Sequence, residues 1–265
     1  MQKIKCIISY DGTDFHGFAR QRNLRTVQGE VERVMQLLWG CAVETVGASR
    51  TDSGVHARCQ ALHFVLPHGR IPVTQLSYIL RAWLPQDIVL VSAIPVENRF
   101  HARHDALWKQ YRYTIDTAPM PDIFTRRFAL HERRPLDLEA MRMAAAQLEG
   151  EHDFTTFCAA RAQQESKVRK VHGIFIAGGD NHQLYIDVAG NAFLHNMVRI
   201  IVGTLLQVGL GSRAPGTMTD ILARRDRRAA GFTAPAHGLC LTRIAYSSDP
   251  GWPAGPDDCG AIELE

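Results

Sequence analysis

The first forty residues change from a two-residue to a helical period of apolar positions. Residues 3–10 (KIKCIISY) alternate polar and apolar side chains, which predicts a strand with one buried face. Thr26 is a suitable N-cap and Gly40 a suitable end for a helix between them. The apolar positions on one face of that helix are Val27, Val31, Val34, Leu37 and Leu38. The chain is therefore predicted to begin with a strand followed by an amphipathic helix.

The same kind of pattern continues through the first hundred residues. Strands are predicted at residues 43–46, 61–66 and 88–94, and a helix near residues 75–84. The order strand-helix-strand-strand-helix-strand is that of a split βαβ arrangement with a ferredoxin-like antiparallel sheet. We therefore expect residues 1–104 to form one α+β half.

A similar order of elements follows in the second part of the chain. The sequence AGGDNHQ has the composition of a hairpin turn between two strands. The predicted elements are a strand at 106–116, a helix around 138–148, strands at 168–177 and 183–188, a helix at 192–210 and a strand at 239–246. We therefore predict an α+β fold with two related ferredoxin-like halves, residues 1–104 and 105–246, whose antiparallel sheets are flanked by helices.

Charge is distributed unevenly between an arginine-rich body and an acidic tail. Residues 247–265 contain five acids, three prolines and no base, so we expect a loosely held tail. Because the whole chain has 27 acids, 22 remain outside the tail, against 30 basic residues. Only five of these bases are lysines, and the planar fork of arginine suits phosphate contact and base stacking. The excess favours a polyanionic partner, although charge alone is equally consistent with a solvated surface.

Cysteine spacing and hydropathy argue against several other classes of protein. The six cysteines include no CxxC pair and no spacing suited to zinc, so we expect reduced thiols, a cytoplasmic protein and no metal. No run of about 18 apolar residues occurs, so neither a membrane span nor a secretion signal is predicted. The phosphate-binding motif GxxxxGK[ST] is absent, which gives nucleotide hydrolysis no support.

The stretch ETVGASRTDSGVHARCQALHF, residues 44–64, contains the strongest candidate for chemistry. Asp52 lies in a polar loop between two predicted strands, after Arg50 and before Gly54. Gly54 permits close approach of a substrate, and a guanidinium nearby would keep the carboxylate ionised at neutral pH. An ionised and positioned aspartate can act as a nucleophile or a general base. The alternative is that Asp52 only caps a turn.

A second candidate is the predicted strand at residues 106–116. Tyr111 and Tyr113 share one face of this strand with Lys109. Aromatic rings beside cations provide the stacking and phosphate contacts that RNA binding requires. The alternative is a half-buried strand whose tyrosines pack in the core.

A third candidate is an arginine in the helix predicted at residues 192–210. Arg199 lies near core-facing side chains, and His195 is predicted one turn earlier on the same side. A buried arginine requires an anionic partner, which could be a carboxylate or a substrate anion. The alternative is an arginine at the edge of the polar face of an ordinary amphipathic helix.

Five segments, in the right order, resemble the motifs of the TruA-type tRNA pseudouridine synthases. Taken together they span nearly the whole chain to about Tyr246, which makes the match far more specific than the RTD triplet alone. The five segments are YDGTDFHGFARQ (10–21), GASRTDSGVHA (47–57), FHARHDALWKQYRY (100–113), GNAFLHNMVRIIVG (190–203) and APAHGLCLTRIAY (234–246).

This resemblance implies a function, an architecture and a set of site residues. The implied function is an isomerase that converts uridine to pseudouridine at positions 38, 39 and 40 in the anticodon stem-loop of tRNA. The implied architecture is a homodimer with two RRM-like halves around a basic cleft, without cofactor or metal. Asp52 matches the family's catalytic aspartate, and Arg199 matches the arginine paired with it. Tyr111 matches the tyrosine that packs against the target base, and Arg50 the loop arginine that helps displace the target nucleotide.

The chain departs from the family motifs at two places, and one other class of function fits the same features. Phe18-Ala19 replaces the usual Trp-Gln, and Arg58-Cys59 stands where the family's loop commonly ends with glycine. An RNA-binding module or chaperone without catalysis would show salt-sensitive binding that is indifferent to Asp52. A hydrolase is less favoured, because no second acid or metal motif accompanies the aspartate.

Overall fold

The structure is a computed structural model that describes residues 2–67, 71–160 and 165–246. The predicted acidic tail, residues 247–265, lies outside the described residues. Helices and antiparallel strands alternate along the chain, which confirms the α+β fold class. None of the helices in the part of the chain that is described has the length and apolar character needed to cross a membrane.

The contacts between residues divide the chain into two units. Unit 1 contains residues 2–107 and 241–246, and unit 2 contains residues 108–240. The main boundary therefore lies three residues after the position predicted from the sequence. The end of the predicted second half belongs to unit 1, because the Leu107 amide donates to Ala245 O (2.8 Å) and the Tyr246 hydroxyl donates to Ala102 O (2.7 Å).

Unit 1 has the predicted ferredoxin-like order. The strand order in its sheet is β4-β1-β3-β2, and all neighbouring strands are antiparallel. Helix α1 connects β1 to β2, and β3 lies between these two strands. This is a split βαβ arrangement. The elements are β1 (Lys3–Tyr10), α1 (Val27–Trp39), β2 (Val46–Gly47), β3 (His56–Val65), α2 (Val73–Trp83) and β4 (Ile88–Val96).

The ends of α1 follow the sequence prediction, while its buried face differs at Leu37 and, in part, at Leu38, which is half-buried. The Thr26 side chain accepts a hydrogen bond from the Gly29 amide, and Gly40 ends the helix in the left-handed region with φ 70°. Leu37, predicted on the buried face, is 58% exposed, and Met35 is buried instead. Leu37 lies at the edge of the apolar stripe, so a small rotation of the helix exposes it.

The strand predicted at residues 43–46 is wrong for most of its length. Strand β2 contains only Val46 and Gly47. The Thr45 amide donates to Glu32 Oε1 (3.0 Å), and Thr45 O accepts from Gln28 Nε2 (2.8 Å). Side chains of α1 therefore bind the backbone groups that a sheet ladder would need at Thr45.

Unit 2 repeats the split arrangement. Its strands are ordered β5-β9-β8-β7, so β9 lies between β5 and β8, and short β6 runs parallel to β5. The hairpin predicted at AGGDNHQ joins β8 and β9. The elements are β5 (Trp108–Asp116), β6 (Leu130–His131), α3 (Leu138–Ala146), β7 (Gly150–Asp153), β8 (Val168–Gly178), β9 (Gln183–Gly190), α4 (Met197–Gly209) and α5 (Met218–Arg224). A last strand, β10 (Leu239–Ala245), contains the boundary between the units.

Helix α4 begins five residues later than its amphipathic pattern predicts. Asn196 has φ 62°, a left-handed conformation that an α-helix cannot include, so the helix starts at Met197. His195 consequently lies in the preceding turn and is exposed. The prediction that His195 and Arg199 share one helix face is wrong.

Candidate active site

Asp52 lies in the loop that connects β2 to β3, residues 48–55, which we call the Asp52 loop. A turn closes immediately after the carboxylate, because the Val55 amide donates to Asp52 O (3.2 Å). Gly54 provides the left-handed residue of this turn with φ 76°. Asp52 is half-buried, and Thr51 before it is buried.

The segment between β1 and α1, residues 11–18, holds the Asp52 loop through backbone groups, and we call it the clamp loop. The Phe18 amide donates to Thr51 O (3.1 Å). Phe15 O accepts from both the Gly54 amide (3.3 Å) and the Ser53 hydroxyl (3.2 Å). These bonds fix the residues on both sides of Asp52.

Buried polar side chains secure the flanks of the Asp52 loop. The hydroxyls of Tyr10 and Thr51 share a hydrogen bond of 2.7 Å, and the Gly12 amide donates to Nδ1 of buried His56 (3.0 Å). On the other side, Gln60 donates to Ser49 O (2.7 Å) and accepts from the Ser49 amide (3.1 Å). All of these partners are buried, and their hydrogen bonds hold the loop firmly.

Two glycines of the clamp loop permit this close approach. A Cβ atom at Gly12 would lie 2.0 Å from Val55 O, and one at Gly17 would lie 2.8 Å from Thr51 O. Gly17 also has φ 91°, which favours glycine. Phe18, one of the two departures from the family motif, is buried with its ring against Gly47.

Arg50 is exposed on the Asp52 loop and has a second guanidinium near it. Arg103 donates through Nη2 to Gly47 O (3.3 Å), the residue that precedes this loop. Burial lowers the pKa of Arg103, and the charge of Arg50 lowers it further, which indicates that the two cations are close. The sequence analysis did not single out Arg103, although this residue is the arginine of the FHAR motif at residues 100–103.

In unit 2, Tyr111 lies on β5 opposite Val188 of β9. Its ring is 6% exposed and meets the ring of Phe193 edge to face, with centroids 5.3 Å apart. The next residue, Arg112, forms a bidentate ion pair with buried Asp187, with both distances 2.9 Å. This pair joins β5 to β9 and so fixes the strand that carries Tyr111.

Tyr113 is a core residue, as the alternative interpretation of this strand proposed. Its ring is fully buried against Gly238, and its hydroxyl donates to Pro235 O (2.9 Å). Burial raises the pKa of Tyr113, while the charge of Arg199 opposes that shift. The phenol therefore stays protonated at neutral pH and serves as a structural donor.

The guanidinium of Arg199 is oriented by groups near the start of α4. Nε donates to Ala234 O (2.7 Å), and Nη1 donates to Asn196 Oδ1 (2.8 Å). The Ala234 amide in turn donates to Arg199 O (3.0 Å). Asn196 is a positioning residue that the sequence analysis missed, because its left-handed backbone has no signature in the apolar pattern.

The structure thus places Asp52 and Arg50 in one loop of unit 1, and Tyr111 and Arg199 in unit 2. Across residues 2–67, 71–160 and 165–246, no three histidine, cysteine or acidic side chains are grouped so as to hold a metal ion. The chemistry available from these residues is that of one carboxylate with arginines and aromatic rings. Such groups can act on a sugar or base and can contact phosphates.

Comparison with known proteins identifies the family of this chain. The model of the tRNA pseudouridine synthase family matches residues 6–105 and 144–247. The tRNA pseudouridine synthase A of Brevibacillus brevis is 46% identical over 93% of this chain and all of its own length. That of Bacillus subtilis is 43% identical with the same coverage of both chains.

A further relative and a solved structure also match. The tRNA pseudouridine synthase A of Halalkalibacterium halodurans is 46% identical over 92% of each chain. A chain of an archaeal box H/ACA sRNP Nop10-Cbf5 complex matches 92% of this chain over 49% of its own length, at 12% identity and a TM-score of 0.37. The family match and these relatives show that the chain belongs to the tRNA pseudouridine synthase family, whose members are isomerases that act on uridine in tRNA.

Proposed function

We propose that this chain converts uridine to pseudouridine at positions 38, 39 and 40 of the tRNA anticodon stem-loop, with Asp52 as the catalytic carboxylate. The observation that carries the proposal is the Asp52 loop, whose backbone is held on both sides of Asp52 by the clamp loop. A loop fixed in this way can present one acid to a substrate in a constant position. The choice of the anticodon stem-loop rests on the five motifs of the family.

The target uridine must leave the base stack before Asp52 can reach it. Flipping a nucleotide out of a stem costs a few kcal/mol. Arg50 and Arg103 would offset this cost by contacting a backbone phosphate beside the target nucleotide, which suits two adjacent guanidinium groups. Tyr111 would contact the flipped base.

The reaction breaks the bond between N1 of uracil and the ribose, turns the base, and joins its C5 to the same sugar carbon. Three first steps are chemically open to Asp52: attack on the sugar carbon, attack on the base, or removal of a ribose proton. Each of them requires an ionised carboxylate, and the resemblance to the family pairs Asp52 with Arg199, whose charge would favour that form. Loss of the proton from C5 and gain of a proton at N1 then complete the isomerisation without a change in oxidation state.

The resemblance to the family also supports a homodimer that works in the cytoplasm, where its tRNA substrate is found. Light scattering of the purified chain measures the first of these properties directly. A mass of twice 29.6 kDa is expected.

A transcript assay tests the proposed function. The purified chain is incubated without cofactor with unmodified tRNA transcripts that carry uridine at positions 38, 39 or 40. Chemical labelling of pseudouridine is expected to map product to these positions and to no other uridine. Binding of the transcripts without any product would instead support an RNA-binding module, and product outside the anticodon stem-loop would contradict the proposed substrate position.

Substitutions of Tyr111 separate the role of its ring from that of its hydroxyl. Tyr111→Phe keeps the ring and loses only the hydroxyl. The single-turnover rate of Tyr111→Ala should be roughly 10 to 100 times lower than that of Tyr111→Phe, because base–aromatic stacking contributes about 1–3 kcal/mol. Removal of a buried ring also destabilises the fold by about 3–5 kcal/mol, so circular dichroism must first show both variants folded at the assay temperature. Equal rates in the two variants would contradict a stacking role.

A further inference from the structure

An arginine–aspartate pair lies behind the clamp loop. Arg25 donates from Nη1 to Oδ2 of Asp87 (2.7 Å) and from Nη2 to Oδ1 (2.9 Å). The pair joins residues 62 positions apart, one just before α1 and the other just before β4. A bidentate pair of this kind fixes the orientation of the guanidinium as well as its distance.

The oriented guanidinium of Arg25 covers the ring of Phe15. The Cζ atom of Arg25 lies 4.1 Å from the ring centroid, and Phe15 is 2% exposed. A cation stacked over an aromatic face is attracted to it. The main chain adds a second tie, because the His16 amide donates to Arg25 O (2.9 Å). Phe15 is therefore held through both its side chain and the residue that follows it.

Phe15 is also the clamp-loop residue that contacts the Asp52 loop twice. Its carbonyl accepts from Ser53 and Gly54, the two residues that follow Asp52. The carbonyl of Asp87 accepts from the Asp11 amide (3.0 Å), at the start of the clamp loop. Asp87 thus holds the start of the clamp loop directly, through Asp11. It holds the middle of the loop indirectly, because it orients Arg25 over Phe15.

We propose that Arg25 and Asp87 are positioning residues that set the place of the Asp52 carboxylate through Phe15. The inference rests on the proposed catalytic role of Asp52. The side chains of the pair are 36% and 25% exposed, and ion pairs with that much solvent contact add little to stability. Geometry is the larger contribution, since a displacement of about 1 Å in a reacting group costs roughly 100-fold in rate.

The variant Asp87→Asn tests this inference with little change of shape. We expect the single-turnover rate constant for pseudouridine formation to fall roughly 10- to 100-fold, with the Kd for tRNA unchanged. Glu132→Gln is the matched control, because Glu132 forms a similar bidentate pair with Arg134 (2.7 and 2.6 Å) in unit 2. The control should keep the rate of the unmodified chain.

A double variant separates positioning from a general loss of stability. Arg25→Lys keeps the positive charge but loses the planar guanidinium that forms both hydrogen bonds. If the pair acts as a unit, the double variant Arg25→Lys/Asp87→Asn should react no more slowly than the slower of the two single variants. Rates are compared well below the Tm of every variant. A normal rate in Asp87→Asn, multiplied losses in the double variant, or recovery of the rate on cooling would overturn the inference. An active Asp52→Asn chain would instead overturn the proposed function.

Discussion

Replacement of Asp52 by asparagine is expected to abolish pseudouridine formation while tRNA binding is retained. Asparagine keeps the size of the side chain and cannot act as a nucleophile or base of comparable strength, so the rate should fall by roughly 1000-fold or more. The turn bond uses Asp52 O, and the bonds to the clamp loop use groups of Thr51, Ser53 and Gly54, so all of them persist in the variant. Single-turnover kinetics measures the loss, and filter binding measures the Kd.

A matched substitution controls for the loss of one negative charge on an RNA-binding protein. Asp220 is exposed in the first turn of α5 and takes no part in the site, so Asp220→Asn should leave both rate and Kd unchanged. Normal turnover by the Asp52→Asn chain would contradict the catalytic assignment. The alternative of an RNA-binding module would be favoured if neither the unmodified chain nor the Asp52→Asn chain formed product while both bound tRNA with the same Kd.

The largest expected effect on stability comes from Gly12→Ala. The added Cβ atom would lie 2.0 Å from Val55 O, so backbone on one side must move, at a cost of roughly 3 kcal/mol. For a chain of this size the Tm should fall by roughly 5–10 °C. The movement would also displace the Asp52 loop and lower the rate. Thermal unfolding and single-turnover kinetics measure the two effects.

Gly216→Ala is the matched control for this substitution. A Cβ atom at Gly216 meets nothing within 4 Å, and its φ lies outside the left-handed region. The Tm of the Gly216→Ala chain should stay within about 2 °C of that of the unmodified chain. A Gly12→Ala chain as stable as this control would show that the clamp loop does not approach the Asp52 loop as closely as described.

The fold was predictable from the sequence wherever a regular period of apolar residues determined the element. Strand β1 and the ends of α1 follow from the alternation in KIKCIISY and from Thr26 and Gly40. The order of strands and helices then predicted the split arrangement found in each unit. Errors arose where a side chain from another element overrode the local pattern, as when Glu32 binds the amide of Thr45.

The candidate site was predictable only as far as its motifs are local. The RTD segment pointed to Asp52 without any knowledge of the fold. The pair formed by Arg25 and Asp87 could not be found in this way, since it depends on a turn before α1 meeting a turn before β4. Asn196 was missed for a related reason, because a single left-handed residue changes where α4 begins without changing its apolar period.

The return of residues 241–246 to unit 1 has a consequence for the order of events during synthesis on the ribosome. Lys5 Nζ lies 4.3 Å from the centroid of the Tyr246 ring, and the Tyr246 hydroxyl donates to Ala102 O, so unit 1 needs the last described residue for its contacts. Although the N-terminal part of a chain emerges first, these contacts cannot form until translation has passed residue 246. Unit 1, which carries Asp52, therefore cannot complete its fold until residues 241–246 have left the ribosome.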